Sequence, residues 1–244
     1  MSAVRYPVLE LRQYTLRPGQ REVLVDLFDR ELVESQEAAG MAIVGQFRDL
    51  DDPDRFVWIR GFASMPARAA ALAAFYGGPA WKAHRGRANA TMTDSDNVLL
   101  LRPVTAQSGF PAPAAARPPA GNGPAAPSRV LVTLCYGARP FGPEFADFFD
   151  REVRPVLTEA GAAPLACLET ETAANTFPAL PVRAGENVFA WLARFPSPAH
   201  LSDHLARLGR SGAWRDRVRP ALSEMITGEP ERLRLAPTAR SLLR

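Results

Sequence analysis

Lysine is almost missing from this sequence. It occurs once, at Lys82, in a chain of 244 residues whose other cations are arginines interleaved with acids. The net charge of +3 and isoelectric point of about 9.2 therefore come without a basic arm, which argues against a nucleic-acid binder. Cysteine is scarce too, with Cys135 and Cys167 the two examples. Both fall in expected strands separated by a third, about 9–10 Å apart, which is beyond disulfide reach. Reduced, buried thiols are expected. No apolar run approaches the roughly 18–20 residues that span a bilayer. The opening Met1-Ser2-Ala3-Val4-Arg5-Tyr6-Pro7 lacks the apolar core of a signal peptide, so a cytoplasmic location is expected. A phosphate-binding glycine loop, a Cys/His zinc spacing and a Gly-x-Ser-x-Gly elbow are missing as well, and no metal or cofactor is expected.

What is present is a repetition. Phe56-Val57-Trp58-Ile59-Arg60-Gly61-Phe62-Ala63-Ser64 returns as Phe189-Ala190-Trp191-Leu192-Ala193-Arg194-Phe195-Pro196-Ser197, a shift of 133 that Trp81 and Trp214 share. The alternation has the period of a strand, and apolar residues on both sides imply cover on both faces. Around the first copy the order is strand (Val8–Leu16), helix (Gln20–Ala39), strand (Met41–Arg48), strand (Arg55–Phe62), helix (Ala67–Tyr76), strand (Asn97–Arg102). A further short helix is expected from Trp81. This is the order of a ferredoxin-like βαββαβ unit.

Between residues 103 and 128 seven prolines fall among Ala and Gly. Too few large apolar side chains lie there to fold alone, and 109–128 reads as an extended, semi-stiff linker. The order then begins again in 129–244. Phe28-Asp29-Arg30-Glu31 and Phe149-Asp150-Arg151-Glu152 recur with a shift of 121, as do Gly40 and Gly161 closing those helices. The chain thus reads as a tandem duplication in the α+β class, with domains 1–108 and 129–244. Each unit leaves one sheet face bare, and Trp58, Phe62, Trp191 and Phe195 are expected there. The two sheets should pack face to face to cover them, as an intramolecular dimeric α/β-barrel; pairing with a copy from another chain is the alternative.

Glu10-Leu11-Arg12-Gln13-Tyr14-Thr15-Leu16-Arg17-Pro18-Gly19 resembles the opening signature of the NIPSNAP family of the dimeric α/β-barrel superfamily. Gly45-Gln46-Phe47, Trp58, the Ala-rich segment from Met65 to Phe75, and Trp81 fall at further marks of that family. The resemblance covers residues 6–108 well. Over 129–244 it is looser: Trp191, His204-Leu205-Ala206-Arg207-Leu208, Trp214 and the 237–241 tail match, but the first strand has lost its Glu and Arg. The resemblance implies fold and pairing more than reaction. Superfamily relatives include cofactor-free monooxygenases, haem-degrading enzymes, isomerases and pure binding proteins.

Alternation puts Glu10, Arg12 and Tyr14 on one side of their strand. With Leu9 and Leu11 assigned to the helices, the three should point into the barrel, opposite Val132, Leu134 and Tyr136 of the second half. Glu10 and Tyr14 are the catalytic candidates, as base and proton donor. Arg12, Gln46, Trp58, Arg60, Tyr136 and Trp191 are the ligand-binding candidates for a small apolar or aromatic metabolite. The plainer reading pairs Glu10 with Arg12 or Arg60 as a satisfied buried ion pair. Three functions follow: a barrel that binds a small, partly apolar molecule and self-associates; a cofactor-independent monooxygenase or isomerase; and a scaffold whose barrel is filled by its own side chains. His200 and His204 have a metal-binding spacing but no third ligand, and are expected at a helix edge. Glu31 and Glu152 suggest local ion pairs with neighbouring arginines. The inserted segment Thr172–Glu186 is expected to form an arm that crosses to a partner chain.

Overall fold

The computed structural model describes residues 5–121, 123 and 126–244. Eight strands, β1 (Val8–Leu16), β2 (Ala42–Asp49), β3 (Arg55–Phe62), β4 (Met92–Pro103), β5 (Arg129–Gly137), β6 (Ala166–Thr170), β7 (Asn187–Phe195) and β8 (Glu231–Pro237), close into one antiparallel barrel. The order around it is β1-β3-β2-β8-β5-β7-β6-β4. The first four strands therefore lie as β4-β1-β3-β2 and the last four as β8-β5-β7-β6. They are stitched by Phe47↔Pro237 to Asp49↔Leu235 on one side and Leu101↔Thr170 to Pro103↔Leu168 on the other. Every strand that would be an edge in a lone four-stranded sheet is thereby paired with a strand of the other half over three residues.

The barrel interior is aliphatic. Leu9, Leu11, Val57, Ile59, Leu99 and Leu101 meet Val130, Val132, Leu134, Leu168, Leu192 and Leu235 in a single buried cluster drawn from both halves. The gap among them is about 10 Å³, smaller than a metabolite by more than an order of magnitude, and the expectation of a ligand inside the barrel is overturned. Its lining also corrects the faces: Leu9 and Leu11 point inward. Glu10, Arg12, Tyr14, Trp58 and Phe62 point outward beneath the helices of the first half, as Trp191 and Phe195 do in the second. Shifting a strand assignment by one residue exchanges every side chain between faces. The same shift corrects the counterparts. Glu10 pairs with Arg60 and Leu131 with Ala193, so Leu131, Thr133 and Cys135 stand where Glu10, Arg12 and Tyr14 do.

Helical residues 21–38 and 143–159 each widen into a π turn, at Phe28–Leu32 and Phe149–Val153, where the repeated Phe-Asp-Arg-Glu falls. Phe28 lies 4.9 Å from the Trp58 ring and Phe149 5.3 Å from that of Trp191, so each repeated turn seats an aromatic on its strand. Gly40 (φ +96°) and Gly161 (φ +101°) close these segments in the left-handed region. Ser64 and Ser197 cap the helices Met65–Gly77 and Pro198–Arg210, their hydroxyls accepting from the Ala67 and His200 amides. Two more helical segments, Pro79–Thr91 and 213–225, hold Trp81 and Trp214 against the cores of their halves.

The described residues of 109–128 form no helix or strand, and they are docked rather than free. Phe110 joins the interior cluster, and Arg117 donates to the Ile43 carbonyl (2.6 Å) and to Glu37 (2.7 Å). The segment Thr172–Glu186 does not reach outward as an arm. It folds onto the first half of its own chain, with Phe177, Leu180 and Val182 packed on the cluster around Trp58. No helix among the described residues is long and apolar enough to cross a membrane.

Candidate functional site

Strand pleating places Glu10 and Arg12 of β1 beside Arg60 of β3 on the helix-covered face. The helix capped by Ser64 adds Arg68, on the same stripe as Leu72 and Phe75. All four charged side chains are at most 1% exposed. Glu10 Oε2 accepts from Arg12 Nη1 (2.6 Å) and Arg60 Nε (2.7 Å), and Oε1 accepts from Arg68 Nε (2.6 Å). Burial alone would raise the Glu10 pKa, but Arg60, Arg12 and Arg68 overcome it and hold it down at about 2. A carboxylate this weakly basic anchors guanidiniums and does not abstract protons at neutral pH. The arrangement matches the plainer expectation of a buried ion pair with Arg12 or Arg60, widened to both of them and to Arg68.

Three guanidiniums against one carboxylate leave two positive charges unmatched. Arg12 Nε donates to the Tyr14 hydroxyl (3.0 Å) and Arg60 Nη1 to Gln36 Oε1 (3.3 Å), both neutral acceptors. Arg68 Nη1 donates to Asn175 Oδ1 (2.9 Å) and Thr176 Oγ1 (3.2 Å), both from the inserted segment of the second half. Arg68 Nη2 and Trp58 Nε1 are buried without an acceptor; Arg60 Nη2 is 2.7 Å from Glu10 Oε2 but not aligned to bond it. Burial pushes the Tyr14 hydroxyl up, so it is neutral and retains its own proton to donate.

Against this cluster lies an aromatic gap. Tyr14, Phe28, Trp58, Phe75, Tyr76 and Trp81 line about 30 Å³ between β1, β3 and the helices. Tyr76, one wall of the gap, stacks on Phe177 at 6.1 Å, so the inserted segment touches a wall of the gap as well as Arg68.

Of the expected site residues, Glu10, Arg12, Tyr14, Trp58 and Arg60 are thus brought together. Gln46 lies on the same face but turns to Asp29, donating over 3.2 Å. Tyr136 is elsewhere: its hydroxyl donates to Glu231 (2.7 Å) and accepts from Arg183 (3.1 Å). Trp191 serves the second half, beneath its helices. His204 is not an edge residue; it is buried, with Nδ1 3.2 Å from the Ala160 carbonyl, and His200 sits exposed at its cap. Among the described residues no group of three or more His, Cys, Asp or Glu could hold a metal. Glu31 is 3.5 Å from His84 and Glu152 2.5 Å from Arg217, so their partners come from neighbouring helices. Sequence reasoning missed Arg68, Gln36, Asn175 and Thr176. Arg68 had a signal, as a lone cation on the buried stripe of an Ala-rich helix.

Residues 9–106 match the NIPSNAP family model. No curated protein matches the sequence. Among solved structures, a candidate monooxygenase from Fusobacterium nucleatum subsp. nucleatum shares the fold with a TM-score of 0.57, at 13% identity over 98% of this chain and 94% of its own. An anthrone oxidase-like protein gives 0.55 at 12% identity, over 97% of this chain and 94% of its own. A candidate monooxygenase from Lactobacillus acidophilus NCFM gives 0.53 at 11%, over 96% and 94%. At these identities the likeness is one of fold, which does not select a reaction.

Proposed function

We propose that this chain, whose residues 9–106 are a NIPSNAP domain, binds a small organic molecule with an aromatic or apolar body between the first-half sheet and its helices. The observation that carries this reading is the second half. We read 1–108 and 129–244 as two copies of one βαββαβ unit joined by 109–128. In the second copy the positions of Glu10, Arg12, Arg60 and Arg68 are held by Leu131, Thr133, Ala193 and Leu201. Leu131, Ala193 and Leu201 pack in one buried cluster with Phe195. The architecture therefore closes without the charges. Buried ion networks are often no more stable than apolar replacements of similar volume. A cluster that folding does not require, set beside an aromatic wall, is a binding site.

The gap of about 30 Å³ must open to admit a ligand. The segment whose displacement would free a wall of the gap is the inserted 172–186, which stacks Phe177 on Tyr76. The aromatic wall of Tyr14, Phe28, Trp58, Tyr76 and Trp81 makes aromatic metabolites the first compounds to try. A thermal-shift screen of small aromatics against the whole chain tests the reading. Stabilising compounds should also quench tryptophan fluorescence, and Trp58→Phe with Trp81→Phe should remove most of that quench. A panel without one stabilising aromatic refutes the pocket. Self-association, which the segment 172–186 was expected to mediate, loses that support because the segment is occupied within its own chain.

A further inference from the structure

We infer that the molecule this pocket takes is a small aromatic carboxylate, and that it replaces the inserted segment of the second half at Arg68. The inference rests on the pocket reading above and adds the charge and the docking atoms.

Arg68 is the informative residue. Its Nε is committed to Glu10 at 2.6 Å. That leaves the opposite edge of the guanidinium, where Nη1 and Nη2 lie side by side. Nη1 meets only the neutral oxygens of Asn175 and Thr176, and Nη2 meets none, although Arg68 is 0% exposed. Two parallel N–H groups on one edge match the two oxygens of a carboxylate. An amide oxygen and a hydroxyl are weaker acceptors for a cation than an anion is, so they act as place-holders that a carboxylate outcompetes. The cluster's two unmatched positive charges favour the same exchange, because the three arginines are at most 1% exposed and Glu10 is the one carboxylate in ion-pair range of them among the described residues.

The aromatic body is set by the wall. Tyr14, Trp58, Tyr76 and Trp81 line the gap, and the Arg12 guanidinium lies over the Tyr14 and Trp58 rings at 5.4 and 5.6 Å. The inserted segment, whose Asn175 and Thr176 hold Arg68, covers Tyr76 with the ring of Phe177. The ligand's head and the cover therefore belong to one event. When the carboxylate takes Arg68, Asn175 and Thr176 are released, and the cover must re-seat over the bound ring. The second half thus contributes specificity to a site whose charges all lie in the first.

The test uses the whole chain dialysed free of chloride, titrated calorimetrically with 1-naphthoate, the uncharged isostere 1-naphthamide, and inorganic phosphate. Naphthoate should bind at least tenfold more tightly than naphthamide, and phosphate should bind more weakly than naphthoate. Arg68→Gln should bring naphthoate and naphthamide within about twofold of each other. Its fold would be checked by circular dichroism, and the expected retention of naphthamide binding shows that the pocket survives. The double variant Asn175→Ala, Thr176→Ala should tighten naphthoate, a gain that no folding defect imitates. Equal binding of the two naphthalenes by the unaltered chain would overturn the carboxylate inference and keep the pocket. Binding of neither would overturn both. Phosphate binding as tightly as naphthoate would mean an adventitious ion only. Weaker naphthoate binding by the double variant would refute displacement at Arg68.

Discussion

Replacing Glu10 by Gln keeps the shape of the side chain and removes the charge that holds three guanidiniums together. Two routes give the size of the loss. The Glu10 pKa falls from 4.5 to about 2, and at about 1.36 kcal/mol per unit this amounts to about 3 kcal/mol of stability. Removing one partner of a buried ion pair costs about 3–5 kcal/mol in general, which agrees. No discount for solvent screening applies, since Glu10 is 0% exposed. The sign follows from the lowered value. The contribution is complete above the unfolded pKa of 4.5 and drains away as pH falls toward 2. Urea unfolding at pH 7 should therefore show Glu10→Gln less stable by about 3 kcal/mol, and the difference should shrink through that acid window. A second variant completes the argument: Glu10→Leu, Arg12→Met, Arg60→Met and Arg68→Met together put apolar side chains of similar volume where the network stands. That protein should unfold within about 1 kcal/mol of the unaltered chain, or above it, because a buried ion network and an apolar filling are often near parity. It should also bind no ligand. A Glu10→Gln loss below about 1 kcal/mol, or a fourfold variant that does not fold, would refute the reasoning.

Burial lowers the His204 pKa, with Arg232 adding to it, so the unfolded chain takes up a proton first as pH drops below 6.5. Stability is expected to fall from that point downward, and His204→Phe should flatten this part of the pH profile in thermal melts. The thiols of Cys135 and Cys167 are pushed by burial to about 12 and about 11. Neither should be alkylated by iodoacetamide in the native protein at pH 8, whereas both should be in urea, as intact mass will show. Phe177→Ala removes the stack on Tyr76, and at a cost of about 1 kcal/mol should raise local opening of the segment 172–186 by roughly fivefold. Hydrogen exchange is expected to quicken there while β1 and β3 stay protected; unchanged exchange would separate the segment from the pocket.

Much of the scaffold was legible because its signals are local. The strands Arg55–Phe62 and Asn187–Phe195 end where their alternation ends, and Ser64 and Ser197 start helices that Pro66 and Pro198 permit. The contacts of Arg68 with Asn175 and Thr176 had no such signal. They join residues 107 and 108 positions apart, in a segment without periodicity, and only the closed barrel brings the two together.

The inverted faces have a more general cause. Alternation in a strand distinguishes two sides, and solvent usually tells which is which: the polar set is out. Here both sides are covered, so that compass is lost. Assigning Leu9 and Leu11 to the helices sends Glu10, Arg12 and Tyr14 to the barrel interior, and nothing local to the strand opposes that choice. The deciding information lay in the second half. Applying the helix shift of 121 to β1 sets Leu131, Thr133 and Cys135 opposite Glu10, Arg12 and Tyr14, leaving Val130, Val132 and Leu134 to match Leu9, Leu11 and Gln13. In both halves the second series is aliphatic at its first two positions, and only an interior shared by the two halves demands that of both. The helix side is where the halves differ, charged in one and apolar in the other. A surface that both halves need for closing one barrel is constrained to be apolar in each, and the side without that constraint is where the proposed site lies.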